Sequence, residues 1–96
     1  MRTIKYTNKF KRDYKREKSG KSRKYGEQLD RELMALISLL AGDAVLPLRY
    51  ADHRLGGDWN DFRDCHLKPD LILIYRRPDA ETLELVRLGS HSELGF

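Results

Sequence analysis

A single cysteine in 96 residues leaves no partner for an internal disulfide and no Cys-x-x-Cys pair for a zinc site. No apolar run approaches the roughly 18 to 20 residues of a membrane span. The opening MRTIKYTNKF lacks the apolar core of a secretory signal. Together these absences point to a reducing, cytoplasmic setting. The length excludes a second hydrophobic core, so residues 1–96 are read as one domain. Acidic residues are scarce at the start. Residues 1–26 hold only Asp13 and Glu17 against eleven Lys and Arg, an excess of nine positive charges, whereas residues 27–96 carry an excess of five negative ones. So uneven a field implies an anionic partner, whether nucleic acid, an acidic protein or a membrane surface; the plainer alternative is a solvated, lysine-rich helix face.

Residues 2–7, RTIKYT, alternate and are rich in β-formers, so they read as a short strand. Thr7 or Asn8 can cap a helix over 8–18. In it Phe10 and Tyr14 share one apolar stripe, while Lys9, Asp13 and Glu17, spaced by four, can pair along the surface. A second helix over 26–41 carries Leu29, Leu33, Leu36, Ile37 and Leu40 at the helical period. Three strands follow: 61–67 alternates, 71–77 is almost continuously apolar and therefore central, and 82–89 returns after a turn at Pro78. The order β-α-α-β-β-β predicts an α+β domain, with two N-terminal helices on one face of a mostly antiparallel sheet and the other face open to a ligand. Between helix and sheet, Pro47 and the Gly56-Gly57 pair make VLPLRYADHRLGGDWN irregular. A small domain rarely carries so long an irregular stretch without a use for it.

Residues 52–70 hold two of the three histidines, the only tryptophan and the only cysteine. In strand 61–67, Phe62, Asp64 and His66 share one face and Arg63 and Cys65 the other, so Cys65 and His66 cannot readily bind one metal ion. His53, His66, Asp70 and His91 match no established ligand spacing, so neither a metal nor another cofactor is expected. If the three strands form a meander, these four residues converge at one region of the sheet, with Arg63 and Arg87 supplying fixed positive charge. Histidine, carboxylate and arginine are the parts of a metal-free ribonuclease. A base takes the 2′-OH proton, a cation meets charge developing on the phosphate, and an acid protonates the departing 5′-oxygen. Each residue has a plainer reading. A loop histidine is more often a surface residue, Asp70 can start a turn, and Arg87 can pair with Glu84. Trp59 reads first as a packing residue that pins the Gly-Gly loop and second as a platform for a base. Cys65 reads as a small buried side chain without chemistry.

The stretch YADHRLGGDWNDFRDCHLKPDLILIYRR, followed by LVRLGSHSELGF, resembles the YafQ family of bacterial type II toxins in the RelE/ParE superfamily. The shared pattern is D-H-x-L-x-G-x-W-x-x-[FY]-R-D-x-H-x-x-P-D-x-[IL]-L-I-Y, then R-x-G-[ST]-H-x-x-L. It is dense from residue 46 onward, and the N-terminal half matches in character only.

The resemblance implies a RelE-like fold and an mRNA interferase acting in the ribosomal A site without a metal. The 2′-OH would attack the adjacent phosphate to leave a 2′,3′-cyclic phosphate or 3′-phosphate and a 5′-OH. It places the family's catalytic residues on His53, His66, Asp70 and His91. His91 would be the general acid, His53 and His66 would bind phosphate or act as base, and Asp70 would orient a histidine or act as base. Arg63 and Arg87 match the family's arginines as phosphate contacts. The family ends Leu-Phe-Gly where this chain ends Leu-Gly-Phe, so Phe96, expected to bind substrate, stands one residue out of place. The basic helix, with Lys9, Lys11, Arg12, Lys15, Arg16 and Lys18, would dock on ribosomal RNA. Partners implied are the 70S ribosome, mRNA and a cognate antitoxin with an acidic segment, assembled as a heterotetramer or larger complex. The rival readings are a ParE-like gyrase inhibitor, which lacks the histidine set, and a non-catalytic RNA- or ribosome-binding module.

Overall fold

A computed structural model describes residues 1–95. The elements are β1 (Thr3–Tyr6), α1 (Asn8–Lys18), α2 (Arg23–Ala41), β2 (His53–Arg54), β3 (Arg63–Lys68), β4 (Leu71–Arg76), β5 (Thr82–Gly89) and α3 (His91–Leu94). Thr7 caps α1 by accepting from the Phe10 N–H at 3.0 Å. Ser22 caps α2 through the Tyr25 N–H at 3.1 Å, so that helix begins three residues earlier than its apolar stripe indicates. Arg23, Lys24 and Tyr25 lie ahead of the first stripe position, and only the cap marks them as helical.

The sheet has five strands in the order β1-β5-β4-β3-β2, with β1 parallel to β5 and every other pair antiparallel. The α+β expectation therefore holds, and β2 adds a two-residue strand inside the stretch read as irregular. Both helices cover one face. Phe10, Leu29, Leu33, Leu36, Ile37 and Leu40 pack against Cys65, Leu71, Leu73, Tyr75, Leu83, Leu85 and Leu88. Burying one such leucine contributes about 1.5–3 kcal/mol. The central strand β4 buries both of its faces, and Ile72 and Ile74 point away from this core cluster.

β1 stops at Tyr6, opposite Leu85, so the outer edge of β5 beyond that point has no strand partner. α1 satisfies that edge with side chains. Thr7 Oγ1 donates to the Val86 carbonyl at 2.7 Å, Asp13 Oδ2 accepts from the Leu88 N–H at 3.0 Å, and Arg16 Nη2 donates to the Leu88 carbonyl at 2.9 Å. Asp13 is thereby buried and bound by Arg16 and Arg87 instead of pairing along the surface with its i±4 neighbours. Burial pushes its carboxyl up, but Arg87, the Leu88 amide and Arg16 outweigh that and hold it below the ordinary carboxylate range.

Candidate active site

Strand alternation builds the site on the sheet face that the helices leave open. Phe62, Asp64 and His66 point to that face from β3 and its approach, as do Ile72, Ile74 and Arg76 from β4. The register sets His66 beside Ile72 and Asp64 beside Ile74, with His53 on β2 opposite Asp64. Ile72 and Ile74 form an apolar floor under a row of ionisable groups.

Asp70 lies in the tight turn between β3 and β4 and reaches the start of α3. Its Oδ1 accepts from the His91 backbone N–H at 3.1 Å and lies 2.9 Å from His91 Nδ1. A proton on Nδ1 donated to this carboxylate leaves Nε2 as the outward, reactive nitrogen. The bond to His91 also holds the Asp70 carboxyl below its ordinary range. The His66 and His91 rings lie with centroids 5.6 Å apart, and His66 Nδ1 sits 3.3 Å from the Pro69 carbonyl oxygen. A cleft of about 340 Å³ lined in part by Arg49, Tyr50, His66 and Pro69 opens beside this pair. His53 Nδ1 is 2.8 Å from the Ala51 carbonyl oxygen and 3.0 Å from Asp64 Oδ1. One ring proton cannot serve both acceptors well, and the buried Asp64 Oδ1 is left without a hydrogen bond.

The structure thus brings His53, His66, Asp70 and His91 onto one face, as the meander requires. It adds Asp64, which sequence reading placed beside His66 but gave no role. Asp64 is buried, and desolvation pushes its carboxyl up, partly offset by His53, His66 and His91. The available signal was its position two residues before His66 on one strand face; its burial depends on tertiary packing and was not legible.

The arginines differ from expectation. Arg63 is not brought to the histidine face. It points to the helix side, where its Nη2 lies 2.9 Å from Asp52 Oδ2, and Asp52 also accepts from the Tyr75 hydroxyl. Arg87 does lie opposite Ile74, but its Nε is 2.7 Å from Asp13 Oδ2, so its charge is compensated. It does not take Glu84, which is bound by Arg76 at 2.6 Å. Cys65 is buried among apolar side chains, and burial pushes its thiol well up. Phe96 lies outside the described residues.

α3 extends the element order expected from the sequence, which ends at the strand over 82–89. Ser90 and Glu93 form a reciprocal capping box, with Glu93 N–H to Ser90 Oγ at 3.2 Å and Ser90 N–H to Glu93 Oε1 at 2.9 Å. The S-x-x-E signal is visible in SHSE, but four residues show no helical period. Arg16 Nε meets Glu93 Oε2 at 3.0 Å, tying α1 to the short helix that carries His91. Gly89 leaves room where these meet: an added Cβ would lie 2.9 Å from Arg16 Nη2 and 3.2 Å from Glu93 Oε1, so those side-chain ends would have to shift. Arg16 and Lys18, expected to dock on RNA, are therefore engaged within the fold, Lys18 with Asp30 at 2.9 Å. Lys9, Lys11, Arg12 and Lys15 are exposed, with no carboxylate partner among the described residues. Among the described residues no three His, Cys, Asp or Glu side chains converge as a metal-binding group, and no helix is long and apolar enough to cross a membrane.

A mostly antiparallel sheet, helices on one face and ionisable groups on the other, is the architecture of the RelE-like α+β toxins. A family described as "Bacterial toxin of type II toxin-antitoxin system, YafQ" matches residues 2–95, and the chain belongs to it. It is 36% identical over 95 residues to the mRNA interferase toxin YafQ of Escherichia coli strain K12, covering 98% of this chain and 96% of that one. Among solved structures, a copper-bound mutant toxin from Helicobacter pylori superposes with a TM-score of 0.83 at 37% identity, covering 98% of this chain and 99% of that one. YafQ in the E. coli DinJ-YafQ complex superposes with a TM-score of 0.81 at 33% identity, covering 98% of each chain.

Proposed function

We propose that this chain is an mRNA interferase, an endoribonuclease that cleaves messages in the ribosomal A site and is neutralised by a cognate antitoxin. The observation that carries the reading is the Asp70–His91 contact at 2.9 Å beside His66 on an open sheet face. Asp70 orients the His91 ring. His91 then delivers a proton from Nε2 to the departing 5′-oxygen. His66 and His53 lie on the same face, where one takes the 2′-OH proton and the other meets the phosphate; Asp64 positions His53. The scheme gives a 2′,3′-cyclic phosphate and a 5′-OH. An acid–base partner of this kind contributes about 10²–10⁴ in rate.

Lys9, Lys11, Arg12 and Lys15 supply the sequence-independent attraction to ribosomal RNA. The same surface suits an acidic antitoxin segment, and the E. coli relative is solved in complex with DinJ. The test is expression of wild-type and His91→Ala protein with ribosome co-sedimentation measured in parallel. The nuclease reading expects growth arrest with wild type only and sedimentation with both. Arrest that persists in His91→Ala would make the chain a binding module and overturn it.

A further inference from the structure

A phosphodiester reaching the histidine face meets cations that the fold has already engaged. Arg87 is bound by Asp13 at 2.7 Å and Arg76 by Glu84 at 2.6 Å, while Arg63 faces the helices, where Asp52 holds it at 2.9 Å. Lys68 lies 3.8 Å from Glu32, with its ammonium 4.9 Å from the Tyr25 ring centroid. A carboxylate offsets each of these charges, so none presents its full field to a ligand.

Arg49 differs. It belongs to the single turn Leu48–Tyr50 that precedes β2. Its guanidinium lies 4.9 Å from the Tyr50 ring centroid, and Nη2 donates to the Tyr50 hydroxyl at 3.2 Å. Tyr50 is buried, so the cation rests on a fixed support. That hydrogen bond uses one of five N–H donors. Arg49 is exposed, and among the described residues its charge interacts with Tyr50 and with no carboxylate.

The turn adjoins the site. β2 pairs with Arg63 and Asp64 of β3, so the edge of β3 at His66 lies beyond β2. The cleft of about 340 Å³ lined in part by Arg49, Tyr50, Ala51, His66 and Pro69 opens along that edge. Ala51 takes a left-handed φ of 47°, which non-glycine residues adopt rarely, and its carbonyl oxygen lies 2.8 Å from His53 Nδ1. One anchored turn therefore carries Arg49 into the cleft that His66 lines and contacts His53 at its other end.

We propose that Arg49 binds a backbone phosphate of the RNA substrate next to the scissile one, holding the strand against His66. A guanidinium with unused planar donors matches a phosphate in both charge and shape. The inference rests on the nuclease reading above, and the experiment separates the two.

Single-turnover cleavage is measured on ribosomes programmed with a defined message. Each linkage flanking the cleavage point is replaced in turn by an uncharged methylphosphonate with a 2′-deoxy sugar on its 5′ side, and compared with the same deoxy sugar bearing an ordinary phosphate. Arg49→Ala slows cleavage of the unmodified message about 10- to 100-fold, with ribosome co-sedimentation and thermal midpoint close to wild type. One methylphosphonate slows the wild-type protein by a similar factor and slows Arg49→Ala no further. Arg49→Lys, which keeps the charge, recovers part of the rate, whereas Arg49→Gln, which keeps donors without the charge, loses as much as Arg49→Ala. Losses that multiply at every linkage, a full rate in Arg49→Gln, or loss of ribosome co-sedimentation in Arg49→Ala would overturn the phosphate contact while leaving the nuclease intact. No cleavage of any message by the wild-type protein would remove both.

Discussion

At the residue scale, the two aspartates of the site stand in opposite environments. Asp70 is exposed and bound to His91, which holds its pKa down; Asp64 is buried, and desolvation pushes its pKa up. Carboxyl-carbon NMR titration is expected to show Asp64 protonating above, and Asp70 below, the ordinary aspartate range. A depressed folded pKa contributes stability above the unfolded value, and that stability is lost as pH falls through the folded one. A raised folded pKa works the other way: full stability exists below the unfolded value and is lost as pH rises through the folded one. Asp64→Asn removes that loss, so its thermal midpoint at neutral pH should exceed wild type and converge with it at acid pH, while cleavage falls because His53 is less well placed. A midpoint below wild type at neutral pH would contradict this. Asp70→Ala frees the His91 ring and should lower cleavage about 10²-fold or more, with little change in ribosome binding.

At the element scale, the end of β5 depends on α1. Asp13 accepts the Leu88 N–H and sits between the guanidiniums of Arg16 and Arg87. Asp13→Ala leaves an edge amide and two charges unmatched and should destabilise the fold by about 3 kcal/mol, read from urea denaturation. The variant should also lose activity, because Arg16 connects this network to Glu93 and so to the helix that starts at His91. Much of the element plan was legible. The Leu29–Leu40 stripe, the continuous apolar run of β4 and the punctuation at Pro78 each mark structure through local physics. What was missed depends on partners. β2 is two residues long and exists only because β3 lies beside it. Asp13 is spaced like a surface ion-pair residue, and only the open edge of β5 explains its burial. Strand alternation sets Arg63 on the face opposite His66, yet it was counted with the site, and the structure follows the alternation.

At the scale of the whole molecule, charge and chemistry are divided between regions. The sequence carries a net charge of +4, yet its first 26 residues hold eleven basic and two acidic side chains, while the histidine cluster belongs to the net-acidic remainder. Under the proposed function, this separation would let one surface dock while another reacts. Reversing Lys9, Lys11, Arg12 and Lys15 to Glu should weaken ribosome association and flatten its dependence on salt, leaving the fold and the Asp70–His91 contact intact. Two of the three site histidines were visible in one dense stretch of sequence, but their convergence with His91 came from the meander, and the burial of Asp64 from tertiary packing. The account rests on His91 acting as the acid in RNA cleavage. Primer extension on a defined message in a reconstituted translation reaction tests this directly, with wild-type and His91→Ala protein compared with and without ribosomes. A new 5′ end inside the reading frame, seen only with wild type and ribosomes, is the predicted result. Equal cleavage by His91→Ala, or none by wild type while growth still stops on expression, would contradict it.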